Sequence, residues 1–263
     1  DEAYQLAGLG ESQLNPDRCG VIWGSGIGGM NTYEEEFGTY MRNGEGTPRF
    51  SPFMIPKLII DIAAGYISMK YDFRGVNFAT VSACASSSHA ILSAVDQILL
   101  DRADLVLAGG SEAGINIMGI GGFSNMKALS TRNDDPATAS RPFDRGRDGF
   151  VLGEGSGALV IESYEHAKNR GATILAEVGG GASTADAYHL TAPHPEGRGA
   201  AKVMELALKD ARMNPEDIDY INVHGTSTPL GDKAEILAIQ KIFGQAAYDL
   251  NISSTKSMTG HLL

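Results

Sequence analysis

Cys84 stands in the run Thr80-Val81-Ser82-Ala83-Cys84-Ala85-Ser86-Ser87-Ser88, where a strand-like stretch gives way to a helix-like one. Gly75-Val76-Asn77-Phe78-Ala79-Thr80-Val81 alternates as a buried strand does, while Ile91, Leu92, Val95, Ile98 and Leu99 recur at helical spacing. That junction predicts a cysteine at or near a helix N-terminus. The first amide N–H groups of a helix have no partner within it, and the positive end of its dipole favours an anion. A thiol there ionises more readily than a free one, and the thiolate is the nucleophile. The small neighbours Ala83, Ala85, Ser86, Ser87 and Ser88 let backbone or a substrate come close. The alternative on these residues alone is a buried cysteine packed as a small hydrophobe.

Two of the six histidines are placed for chemistry. His224 directly follows Tyr220-Ile221-Asn222-Val223 at the carboxyl end of a strand and opens the hydroxyl-rich run His224-Gly225-Thr226-Ser227-Thr228-Pro229-Leu230-Gly231-Asp232. His261 closes Ser254-Thr255-Lys256-Ser257-Met258-Thr259-Gly260-His261, past the end of another strand. In α/β sheets the carboxyl ends of strands are where ligands bind. For either one the competing reading is a hydrogen-bonded structural histidine. His89, His166, His189 and His194 lack such settings.

The elements that must position these side chains read as α/β. Residues 2–9 could finish a helix, and Cys19-Gly20-Val21-Ile22-Trp23 is a short buried strand running into Gly24-Ser25-Gly26-Ile27-Gly28-Gly29. That glycine run has the spacing of a dinucleotide loop. The expected acidic residue about 20 positions on, closing a second strand, is replaced by a polar helix over 32–42, so a tight strand-to-helix turn is the better reading. Residues 51–69 predict a helix with Leu58, Ile59, Ile62, Ala63 and Tyr66 on one stripe. Asp104-Leu105-Val106-Leu107-Ala108-Gly109-Gly110 is the continuous apolar run of a strand buried on both faces. Gly119-Ile120-Gly121-Gly122-Phe123 predicts a bend or pocket lining, residues 141–149 a solvated loop of mixed charge, and the glycines of 153–157 a tight turn between strands. A second half follows: a strand over 174–181, a helix over 198–212, a strand over 218–223, a helix over 233–243 and a strand over 250–253. Two similar halves, 1–172 and 173–263, suggest a pseudo-duplicated architecture with a site where they meet.

Composition narrows the classes. With 43% hydrophobic and 20% charged residues the 263-residue chain has a globular balance, and disorder is excluded. No apolar run approaches the roughly 20 residues needed to cross a bilayer, and the first residues lack the basic start and apolar core of a signal peptide; a cytoplasmic location is the default expectation. Two cysteines outside any CxxC pair build neither a disulfide framework nor a structural zinc site. A net charge of -11 argues against nucleic-acid binding. Absence of an initial methionine, and an end at Gly260-His261-Leu262-Leu263, lead us to expect a piece of a longer chain at both ends.

In order along the chain stand Ser82-Ala83-Cys84-Ala85, the segment from Ala128-Leu129-Ser130-Thr131-Arg132-Asn133 to Ser140-Arg141-Pro142-Phe143-Asp144, Arg147-Asp148-Gly149-Phe150-Val151-Leu152-Gly153-Glu154-Gly155, His224-Gly225-Thr226-Ser227-Thr228-Pro229 and Thr255-Lys256-Ser257-Met258-Thr259-Gly260-His261. Together they make the chain resemble the elongating β-ketoacyl-[acyl carrier protein] synthases, the type II condensing enzymes of bacterial fatty acid synthesis. The resemblance implies a thiolase-like layered αβαβα fold of two pseudo-duplicated halves, incomplete at both ends here. Initiating synthases of the family use Cys–His–Asn and thiolases Cys–His–Cys, whereas this chain supplies Cys–His–His, which implies decarboxylative elongation. Chain-length-factor relatives lack the cysteine, so Cys84 argues against a catalytically dead subunit.

By the same resemblance Cys84 takes the acyl group from acyl carrier protein, with its own N–H as one arm of an oxyanion hole, and His224 and His261 stabilise the enolate left when malonyl-carrier protein loses carbon dioxide. Lys256 pairs with Glu235, with Asp232 one helical turn before it, to hold the site's electrostatics. Thr226, Thr228 and Thr191 bind the pantetheine arm, and Ile27 and Phe123 border the acyl pocket and its gate. No organic cofactor and no metal is expected in the chemistry, acyl carrier protein is the partner, and a homodimer is implied. Lys127 and Arg132 are the candidate basic cluster for that acidic partner. The family's Gly-Phe-Gly-Gly loop, with the second oxyanion N–H, lies outside this sequence. Three other readings stay open: a polyketide-type ketosynthase, a non-catalytic acyl-binding subunit, and a dinucleotide-dependent oxidoreductase built on residues 24–29.

Overall fold

A computed structural model of the chain describes residues 1–44 and 46–262. Its elements run α1 (Glu2–Leu6), β1 (Cys19–Gly24), α2 (Met30–Arg42), α3 (Met54–Leu58), α4 (Ile62–Tyr71), β2 (Asn77–Thr80), α5 (Ser86–Leu99), β3 (Leu105–Ala113), α6 (Ile117–Asn125), β4 (Glu154–Glu162) and α7 (Tyr164–Asn169). They continue with α8 (Arg198–Ala211), β5 (Tyr220–Asn222), α9 (Pro229–Phe243), β6 (Asn251–Ser253) and α10 (Lys256–Thr259). The described chain divides into two compact units, one of Asp1–Gly119, Glu154–Glu177 and Leu262, the other of Ile120–Gly153 and Val178–His261.

The first unit is built on a sheet of order β2-β1-β3-β4, with β2, β1 and β3 parallel and β4 antiparallel to β3. All six residues of β1 and the first six of β3 are buried, as a strand covered on both faces requires. Alternation then sorts their side chains. Val21, Trp23, Leu105 and Leu107 pack with Leu9, Ala64 and Phe73 on one face, while Ile22, Val106 and Ala108 pack against Ala90 and Ala94 of α5 on the other. Each fully buried aliphatic side chain here contributes about 1.5–3 kcal/mol of transfer free energy. The small Ala90 and Ala94 are what bring α5, and with it the turn that carries Cys84, close to the sheet. Behind β4, the Glu162 carboxylate accepts from Arg170 Nε at 2.6 Å and Nη2 at 2.7 Å, and Arg170 Nη1 donates to the carbonyl of Ala7 at 2.7 Å, tying α1 to the strand.

Four expectations are corrected in this unit. The glycines of 153–157 do not turn: β4 runs straight through them, pairing Gly110 with Gly157 and Glu112 with Gly155. The close approach of the two strands depends on β3 instead, where a Cβ on Gly109 would sit 2.1 Å from the carbonyl oxygen of Gly157, whereas a Cβ on Gly157 would meet nothing. The single helix over 51–69 is two, α3 and α4, because the Leu58 carbonyl accepts from Gly29 N–H at 3.2 Å and Ile59 turns to extended backbone. Ile59, Ile62 and Tyr66 of the proposed stripe are exposed. The glycines of 119–123 sit in α6 rather than a bend, with its entry secured by Gly119 N–H donating to Asn116 Oδ1 at 2.7 Å and Met118 N–H to Glu34 at 3.2 Å. The helix expected over 2–9 ends at Leu6.

In the second unit β5 and β6 form a parallel pair, and Val223, Ile239 and Phe243 make a core with Met204, Leu208, Ile221 and Ile252 beside it. The strand expected over 174–181 does not form: these residues have no ladder partner among the described residues, and Ile174, Leu175 and Val178 stay exposed.

Candidate functional site

In the first unit Cys84 is the middle residue of a single 3₁₀ turn, Ala83–Ala85, that leads directly into α5. It is exposed. Small polar side chains fold this turn. Ser86 Oγ donates to the Ala83 carbonyl at 2.7 Å and accepts from Ser82 N–H at 2.9 Å, while Thr80 Oγ1 donates to the Ser86 carbonyl at 2.8 Å. Ala83 adopts φ +49°, a left-handed conformation that costs a non-glycine residue energy and marks a tight, over-determined turn. Ser86, read from sequence as merely small, therefore grips the nucleophile's turn. Cys19, by contrast, lies in the core, where burial first, then Asp104 and Glu162, push its thiol up to about 11. Its sulfur is inert at neutral pH.

The glycine run after β1 is a tight turn with its amides already occupied. Gly26 N–H and Ile27 N–H donate to the Glu112 carboxylate at 2.6 and 2.9 Å, and Ser25 Oγ lies 3.4 Å from the same oxygen. Glu112 is buried at the end of β3. A dinucleotide loop offers such amides to a pyrophosphate; here a protein carboxylate takes them. A cavity of about 400 Å³ opens within this unit, lined by Cys84, Ser87, Ile91, Ala108, Glu112 and Leu159 among others.

The second unit brings most of the remaining predicted residues together at the carboxyl ends of its parallel strands. His224 follows β5 and His261 follows α10. Their rings stand edge to face, 5.3 Å between centroids and 88° between planes, with a nitrogen of one within 4.8 Å of a nitrogen of the other. Ser254 Oγ donates to the Gly225 carbonyl at 2.8 Å and joins the two loops. Only glycine fits at 225, where a Cβ would meet that of Ser254 at 2.7 Å. His261 is buried and fixed through its backbone, its N–H donating to Val151 at 2.7 Å and its carbonyl accepting from Gly153 at 2.9 Å. Its ring meets the edge of Phe150 at 5.1 Å, and Phe150 in turn meets Phe123 at 5.3 Å.

The electrostatics keep His224 neutral. One side of it faces solvent, yet burial of the rest, then the Lys256 charge, then His261, push its pKa down to about 4. Glu235 acts on the same loop: its two oxygens accept from His224 N–H at 2.7 Å and Gly225 N–H at 2.8 Å. Burial raises its pKa, against those two N–H bonds and the Lys256 charge, which lower it. Glu235 thus holds the His224 backbone, and the Lys256 charge lowers the pKa of both His224 and Glu235. Asp232 is almost fully buried, accepts from Phe143 N–H at 2.8 Å and pairs with the Arg147 guanidinium at 3.0 Å, while Arg147 Nε donates to the Thr228 carbonyl at 3.2 Å. Thr226 and Thr228 bond each other through their hydroxyls at 2.9 Å. Thr191 lies exposed in irregular chain, its N–H donating to His189 Nδ1 at 3.2 Å. Lys127 is exposed, and Arg132 donates to Thr138 Oγ1 at 3.0 Å.

Sequence reasoning missed Arg147, Phe150, Glu112 and Ser86. Residues 141–149 are solvated only in the middle, at Asp144, Arg145 and Gly146, whereas Arg141 and Arg147 keep only 12% and 16% of their side chains exposed. The Asp148 carboxyl, held near 2, offsets its own burial by accepting from Ser130 and Thr131 and facing Arg141. Alternating charge signs at close spacing were the readable signal for that internal network.

The folded chain superposes on a type II polyketide ketosynthase solved in complex with its acyl-carrier protein, with a TM-score of 0.92 at 36% identity, over 98% of this chain and 64% of that one. A β-ketoacyl synthase from Burkholderia phymatum gives 0.87 at 38% identity over the same shares. These likenesses define the class, a thiolase-like α/β fold. Residues 1–167 match the family model "Beta-ketoacyl synthase, N-terminal domain" and residues 175–263 match "Beta-ketoacyl synthase, C-terminal domain". The chain belongs to the beta-ketoacyl synthase family. It is 50% identical over 262 residues to a protein of Coxiella burnetii and 52% identical to one of Staphylococcus aureus, both named 3-oxoacyl-[acyl-carrier-protein] synthase 2. It spans 63% and 64% of their lengths.

Proposed function

We propose that this chain carries the nucleophile and the enolate-stabilising pair of a 3-oxoacyl-[acyl-carrier-protein] synthase that elongates fatty acids. The observation that carries the reading is the edge-to-face pair of His224 and His261, with His224 held neutral, in a family member that also presents Cys84 on a strained turn before a helix.

In this reading the Cys84 thiolate attacks the carbonyl of an acyl-carrier-protein thioester, and the carrier's thiolate leaves. The dipole of the helix that follows favours both the thiolate and the tetrahedral oxyanion. Malonyl-carrier protein then loses carbon dioxide: the electrons of the broken C–C bond pass into an enolate whose oxygen takes up negative charge. A neutral imidazole has one N–H to donate, and two such donors stabilise that oxygen without a proton changing hands. The enolate carbon attacks the Cys84 thioester and the thiolate is released. Thr226 and Thr228 serve the pantetheine arm, Lys256, Glu235 and Asp232 the electrostatics, and Ile27 and Phe123 the acyl pocket. Thr191, exposed in irregular chain, is the third hydroxyl this reading assigns to the pantetheine arm.

The same reading makes acyl carrier protein the partner, in keeping with the carrier bound to a structural relative, and gives Lys127 and Arg132 as basic contacts. It carries with it a cytoplasmic homodimer whose condensation uses no organic cofactor and no metal. A polyketide-type ketosynthase is the second reading, favoured by the 0.92 superposition but opposed by identity, 36% there against 50% and 52% to the fatty acid synthases. An elongation assay on the full-length protein separates them: the proposal requires simple acyl-carrier primers to be extended by one malonyl unit with release of carbon dioxide. Failure with every primer, alongside normal acylation of Cys84, would overturn it.

A further inference from the structure

Glu112 is a buried carboxylate that the proposed reaction does not use. It lines the cavity that Cys84 also lines, and a bare carboxylate facing such a cavity would draw in water and repel methylene groups. Here its charge is answered from the other side, by the N–H groups of Gly26 and Ile27 at 2.6 and 2.9 Å. The loop so anchored touches the nucleophile's turn: Ser86 Oγ, which holds Ala83 and Ser82, also lies 3.4 Å from the Ser25 carbonyl oxygen. One side chain therefore both lines the cavity and holds the strand-end loop that abuts the Cys84 turn.

We propose that Glu112 is a positioning residue for acyl selectivity: by holding the amides of Gly26 and Ile27 it keeps the Ser25-Gly26-Ile27 loop where a long acyl chain on Cys84 can run past it. This rests on the reading that Cys84 carries the acyl group. Loss of the carboxylate leaves two half-buried amides without their acceptor, and the loop moves to satisfy them elsewhere. Short chains that end before the loop are indifferent to that shift. Long ones meet it.

The test uses the full-length protein and its Glu112→Ala and Glu112→Gln variants, with acylation of Cys84 by six-carbon and fourteen-carbon acyl-carrier thioesters followed by intact mass. Iodoacetamide alkylation of Cys84 serves as the small-probe control. A displacement of about 1 Å can cost roughly 100-fold in a positioned reaction, so Glu112→Ala is expected to lower the fourteen-carbon rate relative to the six-carbon rate about tenfold. Alkylation should stay within about twofold, and Glu112→Gln, which keeps an acceptor oxygen, should recover most of the selectivity. Equal loss for both thioesters, or no change in their ratio, overturns the proposal. If Glu112→Ala does not fold, Glu112→Asp, whose carboxylate is withdrawn by one methylene, must show the same change of ratio or the proposal fails. Wild-type protein that takes neither acyl group on Cys84 would instead refute the underlying reading of function.

Discussion

The ring of His224 stands perpendicular to that of His261, with 5.3 Å between centroids, and the two are joined below by the Ser254–Gly225 hydrogen bond. Two histidines that close repel if both are charged. Burial and Lys256 settle the matter for His224 by holding its pKa near 4. The His224 ring is then a neutral donor across the range in which the proposed condensation would run.

That state is directly observable. The ordinary histidine pKa of 6.5 belongs to the unfolded chain, and the folded value is lower, so between about pH 6.5 and 4 the unfolded state binds the extra proton. The stability contribution is fully present above 6.5 and is lost as pH falls toward 4. The His224 ring resonances, assigned by comparison with His224→Gln, should show no titration between pH 5 and 8. A midpoint near 6.5 would contradict the electrostatics described.

Arg147 and Asp232 form a buried ion pair at 3.0 Å, and Arg147 also donates to the carbonyls of Asp144 and Pro229. Removing the guanidinium leaves an uncompensated carboxylate. Arg147→Met should lower unfolding free energy by about 3–5 kcal/mol, and adding Asp232→Asn should restore part of it. Denaturant titration of the three variants measures the coupling; equal and additive losses would show the two side chains to be independent.

The close approach of β3 and β4 is the third test. With a Cβ at 109 only 2.1 Å from the Gly157 oxygen, Gly109→Ala must part the strands or bend one of them. A loss of about 1–3 kcal/mol in thermal or denaturant unfolding is expected. Unchanged stability would mean that the ladder yields more easily than its register implies.

Much of this was legible in the order of residues. The double-sided burial of β3 showed as an uninterrupted apolar run, the Cys84 turn as a change of period from two to helical, and His224 as a residue just past a strand end; the short helix between β6 and His261 did not show. What was hidden depends on partners remote in sequence. Gly153-Glu154-Gly155-Ser156-Gly157 looks like a turn because nothing local says that β3 must lie against it. The stretch 174–181 has strand-forming residues, but a strand also needs a neighbour to bond. Glu112 could not be matched to the glycine loop some 85 residues earlier, because a carboxylate's choice of amides is made only in the fold. Arg147 read as surface for the same reason: its counter-charge, Asp232, lies 85 positions later.

The most direct test of the account is a single-turnover experiment on full-length protein, supplied first with acyl-carrier protein bearing an acyl group and then with malonyl-carrier protein. Wild type should show the acyl mass on the Cys84 peptide, then carbon dioxide and the 3-oxoacyl product. Cys84→Ala should show no acyl mass and no condensation product, and His224→Ala or His261→Ala should hold the acyl group while product formation falls by a factor on the order of 100–1,000. Condensation at the wild-type rate in Cys84→Ala, or in the protein lacking both imidazoles, would contradict it.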